Sequence, residues 1–257
     1  MYSPFDLGGK VMLVTGGNGG IGLGMAEALV RAGATVCIWG TNAEKNADAL
    51  RKLTVHRADT IAMQCDVADE AAVNSRIDEL VGRLGRLDAC FANAGLIGDT
   101  RVKSFVEMEY DEWRRVMRVN LDGAFHTLRA AARHMIAAQR GGSLVATSSI
   151  AALSGPPRME HYAASKGAVI SMTQALAVEL ARFHIRANAI LPGWIESSMT
   201  ADAFAYDKFV EKVLPRVPLR RWGTPEDFGG IAVYLASDAS AYHTGDSIVI
   251  DGGYTKY

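Results

Sequence analysis

Seven short runs dense in Val, Ile and Leu, each separated from the next by a longer segment, limit this chain to a small set of folds. The runs cover residues 11–15, 35–39, 61–67, 87–92, 143–148, 185–191 and 247–250. They are apolar on both faces rather than alternating, so each must be covered on two sides, as the strands of a parallel sheet are when helices connect them. Segments of helical period lie between them, notably 21–31, 70–83 and 161–182. The pattern predicts an α/β fold with a doubly wound parallel sheet of about seven strands and helices on both faces. No Pro/Gly/Ser-rich linker or internal repeat interrupts it, so residues 1–257 read as one domain. The rhythm breaks only at 194–222, where Phe204, Tyr206, Phe209 and Leu214 are interspersed with charges, and a mobile substrate cap is expected there.

Charge and composition exclude several partners. A formal net charge of -1 with scattered Lys and Arg gives no basic stripe for a phosphate backbone, so nucleic acid is not expected. No stretch is apolar enough to cross a membrane, and the first six residues lack the pattern of a secretory leader. A cytoplasmic location is expected. Cys37, Cys65 and Cys90, odd in number and each within an apolar run, read as buried reduced thiols. The histidines show no ligand spacing, so no metal site is expected.

Directly after the first run stands Thr15-Gly16-Gly17-Asn18-Gly19-Gly20-Ile21-Gly22, and a helical pattern follows at once. Glycines in that position permit positive φ and let backbone N–H groups approach a pyrophosphate at the positive end of a helix dipole. A dinucleotide is the ligand such a loop fits. After the second run an acidic residue would hold an adenosine 2′-hydroxyl, but Trp39-Gly40-Thr41-Asn42 stands there. No arginine replaces it, and only Lys45 is near to supply charge, so NAD and NADP both stay open.

Tyr162 and Lys166 lie one helical turn apart and so share a face. A phenol is a poor base at neutral pH. Moving its pKa from about 10 to about 7 takes roughly 4 kcal/mol, which a cation at about 4 Å supplies in an effective dielectric near 20. The pair is therefore suited to acid–base work on an alcohol or carbonyl.

Taken together, these motifs resemble the short-chain dehydrogenase/reductase family over nearly the whole chain. The family's T-G-x-x-x-G-x-G appears as Thr15, Gly16, Gly20 and Gly22, its N-A-G as Asn93-Ala94-Gly95, and its Y-x-x-x-K as Tyr162 and Lys166. The resemblance implies a Rossmann-type sheet and a secondary alcohol–ketone interconversion with NAD or NADP, Tyr162 acting as general acid/base. It implies that Ser149, thirteen residues before Tyr162, binds the substrate oxygen, with Ser148 as the adjacent alternative. Asn120 matches the asparagine that interrupts a helix and holds a water touching the lysine. A helix cap is its structural alternative. Cofactor contacts are implied for Gly16, Asn18, Gly20, Ile21, Gly22, Thr41, Asn93, Ala94, Gly95, Tyr162 and Lys166. Asp66 and Val67 match the residues edging the adenine, and Pro192, Gly193, Ile195 and Ser197 those around the carboxamide, with Ser197 where the family usually has threonine.

The partner implied is a small-molecule alcohol or ketone, and a homo-oligomer, typically a tetramer, is expected. Leu153, Met159, Trp194 and Phe204 are candidate pocket residues, together with Leu96, Ile97 and Pro156. A 3-oxoacyl-(acyl-carrier-protein) reductase is the nearest alternative, with Arg129, Arg133, Arg158 and Arg182 available to an acidic carrier. A cofactor-binding sensor without chemistry is the remote one. His161 and Glu160, next to Tyr162, read as a solvated helix start, with polarisation of a substrate as the alternative.

Overall fold

The computed structural model describes residues 3–99, 101 and 104–256. The first two residues of the N-terminal segment, expected to lack a leader pattern, therefore lie outside the described residues. Seven strands form one parallel sheet: β1 Val11–Thr15, β2 Thr35–Gly40, β3 Ile61–Gln64, β4 Ala89–Ala92, β5 Gly142–Thr147, β6 Ile185–Pro192 and β7 Ser247–Ile250. Their order, β3-β2-β1-β4-β5-β6-β7, reverses direction between β1 and β4. In an open α/β sheet that reversal leaves a crevice at the carboxyl ends of the strands. The expected runs all became strands. The third stops early, because the Asp66 carboxylate accepts from the Ala68 amide and turns the chain, leaving Cys65 just past the strand rather than within it.

Among the described residues, ten α-helices connect and flank the strands: α1 Gly20–Arg31, α2 Ala43–Thr54, α3 Glu70–Leu84, α4 Tyr110–Met117, α5 Gly123–Ala138, α6 Ala151–Ser154, α7 Glu160–Leu180, α8 Ala201–Phe204, α9 Asp207–Val213 and α10 Gly229–Ala236. Polar side chains set their starts where a donor would otherwise be orphaned. Asn42 accepts from Lys45 N at α2, and Asp69 from Ala72 N at α3, while Gly85 in the left-handed region ends α3.

Alternation along the strands divides the core into two layers. Leu13, Cys37, Trp39 and Cys90 face α3, α5 and α7, with Ile77, Leu128 and Val169 against them. Met12, Val14, Ile38 and Phe91 face the other way, toward Met25 and Leu29 of α1 and Leu235 of α10. Successive side chains point to opposite faces, so a strand covered on both sides must be apolar at every position. That is why β1, β2 and β4 read as continuous apolar runs and are buried throughout. Burial raises the thiol pKa of Cys37 to about 12 and of Cys65 to about 11, and raises that of Cys90 as well.

Helix α1 packs closely on the 225–228 turn. A Cβ on Gly24 would lie 2.3 Å from Pro225 O, whereas one on Gly82 in α3 meets nothing within 4 Å. Alanine in an exposed helix interior is favoured over glycine by up to about 1 kcal/mol. Gly82→Ala is therefore expected to raise the urea midpoint. Gly24→Ala is expected to lower it, since a backbone collision costs about 1–3 kcal/mol and outweighs the propensity gain.

Candidate active site

Four of the sequence-predicted elements meet at the reversal of strand order. Thr15 ends β1, Asn93 follows β4, Thr147 ends β5 and Lys166 projects from α7. Asn93 joins them: its Nδ2 donates to Thr15 O at 3.0 Å, its backbone N–H to Thr15 Oγ1 at 3.0 Å, and its Oδ1 accepts from Thr147 Oγ1 at 3.1 Å. Ala94 N also donates to Thr15 Oγ1. Lys166 Nζ donates to Thr147 O at 2.8 Å and is itself 4% exposed. One hydrogen-bonded chain thus runs from the glycine loop to the lysine.

The glycine loop is shaped by what its residues lack. Gly16 has φ +63°, and a Cβ there would lie 3.1 Å from Ala94 Cα. On Gly22 a Cβ would fall 2.3 Å from Gly16 O and 2.6 Å from Asn93 Nδ2. Gly20, also at positive φ, lies against Ser197, and Ile21 packs against the apolar layer below. The first turn of α1 has no side-chain cap, so its N–H groups face the crevice as a ready anion cradle. This cradle fits a pyrophosphate. Asn18 lies beside it, but its amide donates to Asn46 Oδ1 at 2.7 Å, which ties the loop to α2. Thr41 is exposed at the end of β2, and its carbonyl accepts from Gln64. Asp66 is exposed, Val67 is 5% exposed, and the Val67 carbonyl lies 3.1 Å from His126 Nδ1.

The two serines divide their work. Ser148 Oγ donates to the Lys166 carbonyl at 2.8 Å and so fastens β5 to α7. Ser149, 9% exposed, accepts from Ala151 N and faces the phenol of Tyr162, whose pKa it lowers. It is therefore Ser149 that stands at the tyrosine.

Asn120 does not cap a helix. It lies in a π-turn, Arg118–Asp122, between α4 and α5, where the widened backbone turns its side chain inward. Its Oδ1 accepts from Leu96 N at 2.8 Å, and its Nδ2 donates to Leu96 O at 2.9 Å and Ser165 Oγ at 3.1 Å. A Cβ on Gly95 would come 3.2 Å from Asn120 Oδ1 and 3.3 Å from Lys166 Nζ, so all three converge. The side chain is engaged by both of its polar atoms in holding this loop.

The electrostatics differ from the expectation that a cation lowers the phenol. Burial raises the Tyr162 pKa, partly offset by the Ser149 hydrogen bond. Lys166 Nζ lies 5.7 Å from the centre of the Tyr162 ring, and burial brings its own pKa down to about 8. Without cofactor, both groups sit in a water-poor site that favours their neutral forms.

Pro192 ends β6, and Gly193 N donates to Ile250 O at 2.9 Å. Ile195 bridges to Gly223, and Ser197 hydrogen-bonds Thr200, bringing this turn beside the glycine loop. Two of the pocket candidates, Trp194 and Phe204, belong to one aromatic cluster joined through Phe209. Phe204 stacks on Trp222 at 4.3 Å, and Trp194 meets Phe209 edge-on at 4.9 Å. Trp194 also lines a cavity of about 140 Å³ with Val217, Leu219 and Asp251. Leu153 is exposed and Met159 half-buried at the start of α7. Contrary to expectation, His161 is buried, at 1% exposure, because α4 packs against that face of α7. Thr147 and Ser165 were not singled out from the sequence. A hydroxyl ending an otherwise apolar strand was the available signal for Thr147.

A family model described as enoyl-(acyl carrier protein) reductase matches residues 16–255. The chain is 39% identical over 252 residues to a 3-oxoacyl-(acyl-carrier-protein) reductase of Thermotoga maritima, covering 96% of this chain and 98% of that protein. It is 34% identical over 254 residues to the 2-dehydro-3-deoxy-D-gluconate 5-dehydrogenase of Escherichia coli, covering 99% and 98%. Among solved structures it superposes on a gluconate 5-dehydrogenase from Burkholderia cenocepacia in complex with NADP and tartrate, with a TM-score of 0.93, 36% identity, and 99% and 98% coverage.

Because the folded state holds Lys166 near pKa 8 against an ordinary 10.5, the unfolded chain binds more protons between those values, and this group's contribution to stability rises with pH there. The urea midpoint of the cofactor-free protein, measured relative to Lys166→Met, is expected to increase from pH 7.5 to about 9.

Proposed function

This chain belongs to the short-chain dehydrogenase/reductase family, and on that premise we propose that Tyr162 is the general acid/base of its NAD(P)-dependent interconversion of a secondary alcohol and a ketone. The observation that carries the assignment is the convergence of Ser149 on the phenol and of Lys166, through Thr147, on the nucleotide end of the sheet.

Gly16, Asn18, Gly20, Ile21 and Gly22 would hold the pyrophosphate, with Thr41 at the adenosine ribose and Asp66 and Val67 at the adenine. Asn93, Ala94 and Gly95 would line the middle of the cofactor. Pro192, Gly193, Ile195 and Ser197 would surround the carboxamide. When bound, the nicotinamide gives or takes the hydride at the substrate carbon. Ser149 holds the substrate oxygen by donating to it. In reduction, Tyr162 gives its proton to that oxygen, and the raised phenol pKa keeps this proton in place until it is needed. In oxidation, Tyr162 must accept the proton. Lys166, with a pKa of about 8, is largely protonated at neutral pH and supplies the cation that stabilises the phenolate. Lys166 also grips the cofactor ribose, and the Gly95–Asn120 junction receives water beside it.

The segment 194–222 acts as a mobile cap over this cleft, with Trp194, Phe204, Leu153 and Met159 reaching the substrate when it closes. The aromatic stacking within the cap lets it move as a unit. A cytoplasmic homotetramer built through α5 and α7 accords with the outward-facing Phe125 and Val178 on those helices. No helix among the described residues is long and apolar enough to cross a membrane.

A second reading, reduction of a 3-oxoacyl thioester on a carrier protein, is favoured by relatives of that name. Arg129 is less available to a carrier than its sequence position implied, since it pairs with Glu70 and lies over Phe125. A panel of secondary alcohols, ketones and a 3-oxoacyl thioester, assayed by nicotinamide absorbance, separates the two readings, and turnover of none of them sinks both. Tyr162→Phe is expected to lower kcat about 10²–10⁴-fold while leaving NADPH affinity nearly intact. Normal turnover in that variant would refute the role given to Tyr162.

A further inference from the structure

His161 precedes the tyrosine, is 1% exposed, and neither of its ring nitrogens has a hydrogen-bond partner among the described residues. Burying an imidazole in this way removes its water and returns no bond, which is unfavourable. Two groups face Nε2. Glu112 Oε1, from α4, lies 3.5 Å away. The open side of Gly98 faces it too: a Cβ there would fall 2.3 Å from Nε2 and 3.0 Å from Glu112 Oε1. Gly98 has φ +93°, a conformation that only glycine adopts readily.

Glu112 is already committed to the same turn. Its Oε1 accepts from the Asp99 amide, and both its oxygens accept from Arg115, which keeps the carboxyl below its ordinary pKa. Asp99 in turn pairs with Arg101. The Gly98–Asp99 turn is thus held by Glu112 on one side and meets His161 on the other. Two residues earlier, the peptide of Leu96 is held at both ends by Asn120. Leu96 and Ile97 therefore span a short wall with two anchorages, Asn120 at one end and the His161–Glu112 contact at the other.

We propose that His161 is a positioning residue: its Nε2 bridges to Glu112, ties the Gly98–Asp99 turn to the start of the helix carrying Tyr162, and so sets how closely the Leu96–Ile97 wall meets the substrate. The proposal rests on the reading of Tyr162 as acid/base. The bridge involves neither the glycine loop nor Lys166, so its loss is felt in substrate affinity and not in cofactor affinity. The 3.5 Å separation is the distance over which the bridge closes when the cleft is filled.

His161→Phe keeps an aromatic ring and removes both nitrogens, and His161→Gln restores a polar group at similar reach. With the best secondary alcohol or ketone of the panel, His161→Phe is expected to raise KM about fivefold or more, with kcat within about twofold and the NADPH dissociation constant unchanged by fluorescence titration. His161→Gln should recover most of the loss. A ring that merely fills space predicts the opposite: a His161→Phe enzyme with wild-type KM and a higher unfolding midpoint, and a weaker His161→Gln. That pattern overturns the proposal. If the wild type turns over nothing in the panel, it is the reading of Tyr162 that fails. The bridge is then read separately, from the imidazole 15N signals of NADPH-saturated protein. An Nε2 signal that moves in Glu112→Gln supports it, and one that does not move rejects it.

Discussion

The side chain of Asn93 is the point on which the candidate site depends. A doubly wound sheet opens a crevice where its strand order reverses, but the strands on either side of that opening are not paired beyond their ends. Asn93 spans the opening by bonding Thr15 on β1 and Thr147 on β5 from its place after β4. Every one of these groups is a buried or half-buried amide, carbonyl or hydroxyl whose partner is another member of the set. In a low-dielectric interior such a set is stable only when complete, because each missing member leaves another unsatisfied. The result is a rigid floor that fixes the glycine loop relative to Lys166 without any contact between them.

Exclusion of water has a second effect. The same burial that makes the floor rigid disfavours charge on both Tyr162 and Lys166. The lysine retains a compensating acceptor in Thr147 O, and the Ser149 hydroxyl, by favouring the ionised phenol, offsets part of the burial at Tyr162. The site in its free form is thus set toward a protonated phenol beside a modestly depressed ammonium.

Much of this was legible in the sequence, and the reasons are local. The seven strands appear as apolar runs because both faces are covered, and the glycine positions appear because Gly16 and Gly22 leave no room for a side chain. Tyr162, Lys166, Ser149 and Asn120 were all named from their motifs and spacing. What was not legible depends on contacts between distant segments. The choice between Ser148 and Ser149 needed the α7 carbonyl that Ser148 serves. The depth of His161 needed the packing of α4, since its sequence neighbours are polar or charged. Trp194 and Phe204 are pocket candidates from the sequence, and their joint packing on Phe209 and Trp222 is a contact that no periodicity in so irregular a segment reveals. The sign of the phenol shift was missed for a different reason. Helical spacing sets how far apart two side chains can be, and says nothing about the water removed from around both.

The three cysteines give the sheet a further property. Cys37 and Cys90 are fully buried on one face of it, flanking Leu13 on the central strand, and Cys65 lies just beyond β3. A thiol that cannot ionise where it sits does not react with alkylating or oxidising reagents, so modification proceeds only from molecules in which the strands have parted. The cysteines therefore act as an internal clock: the speed at which a reagent consumes Cys37 and Cys90 counts the openings of the central sheet, while Cys65, nearer the edge, counts the fraying of its border.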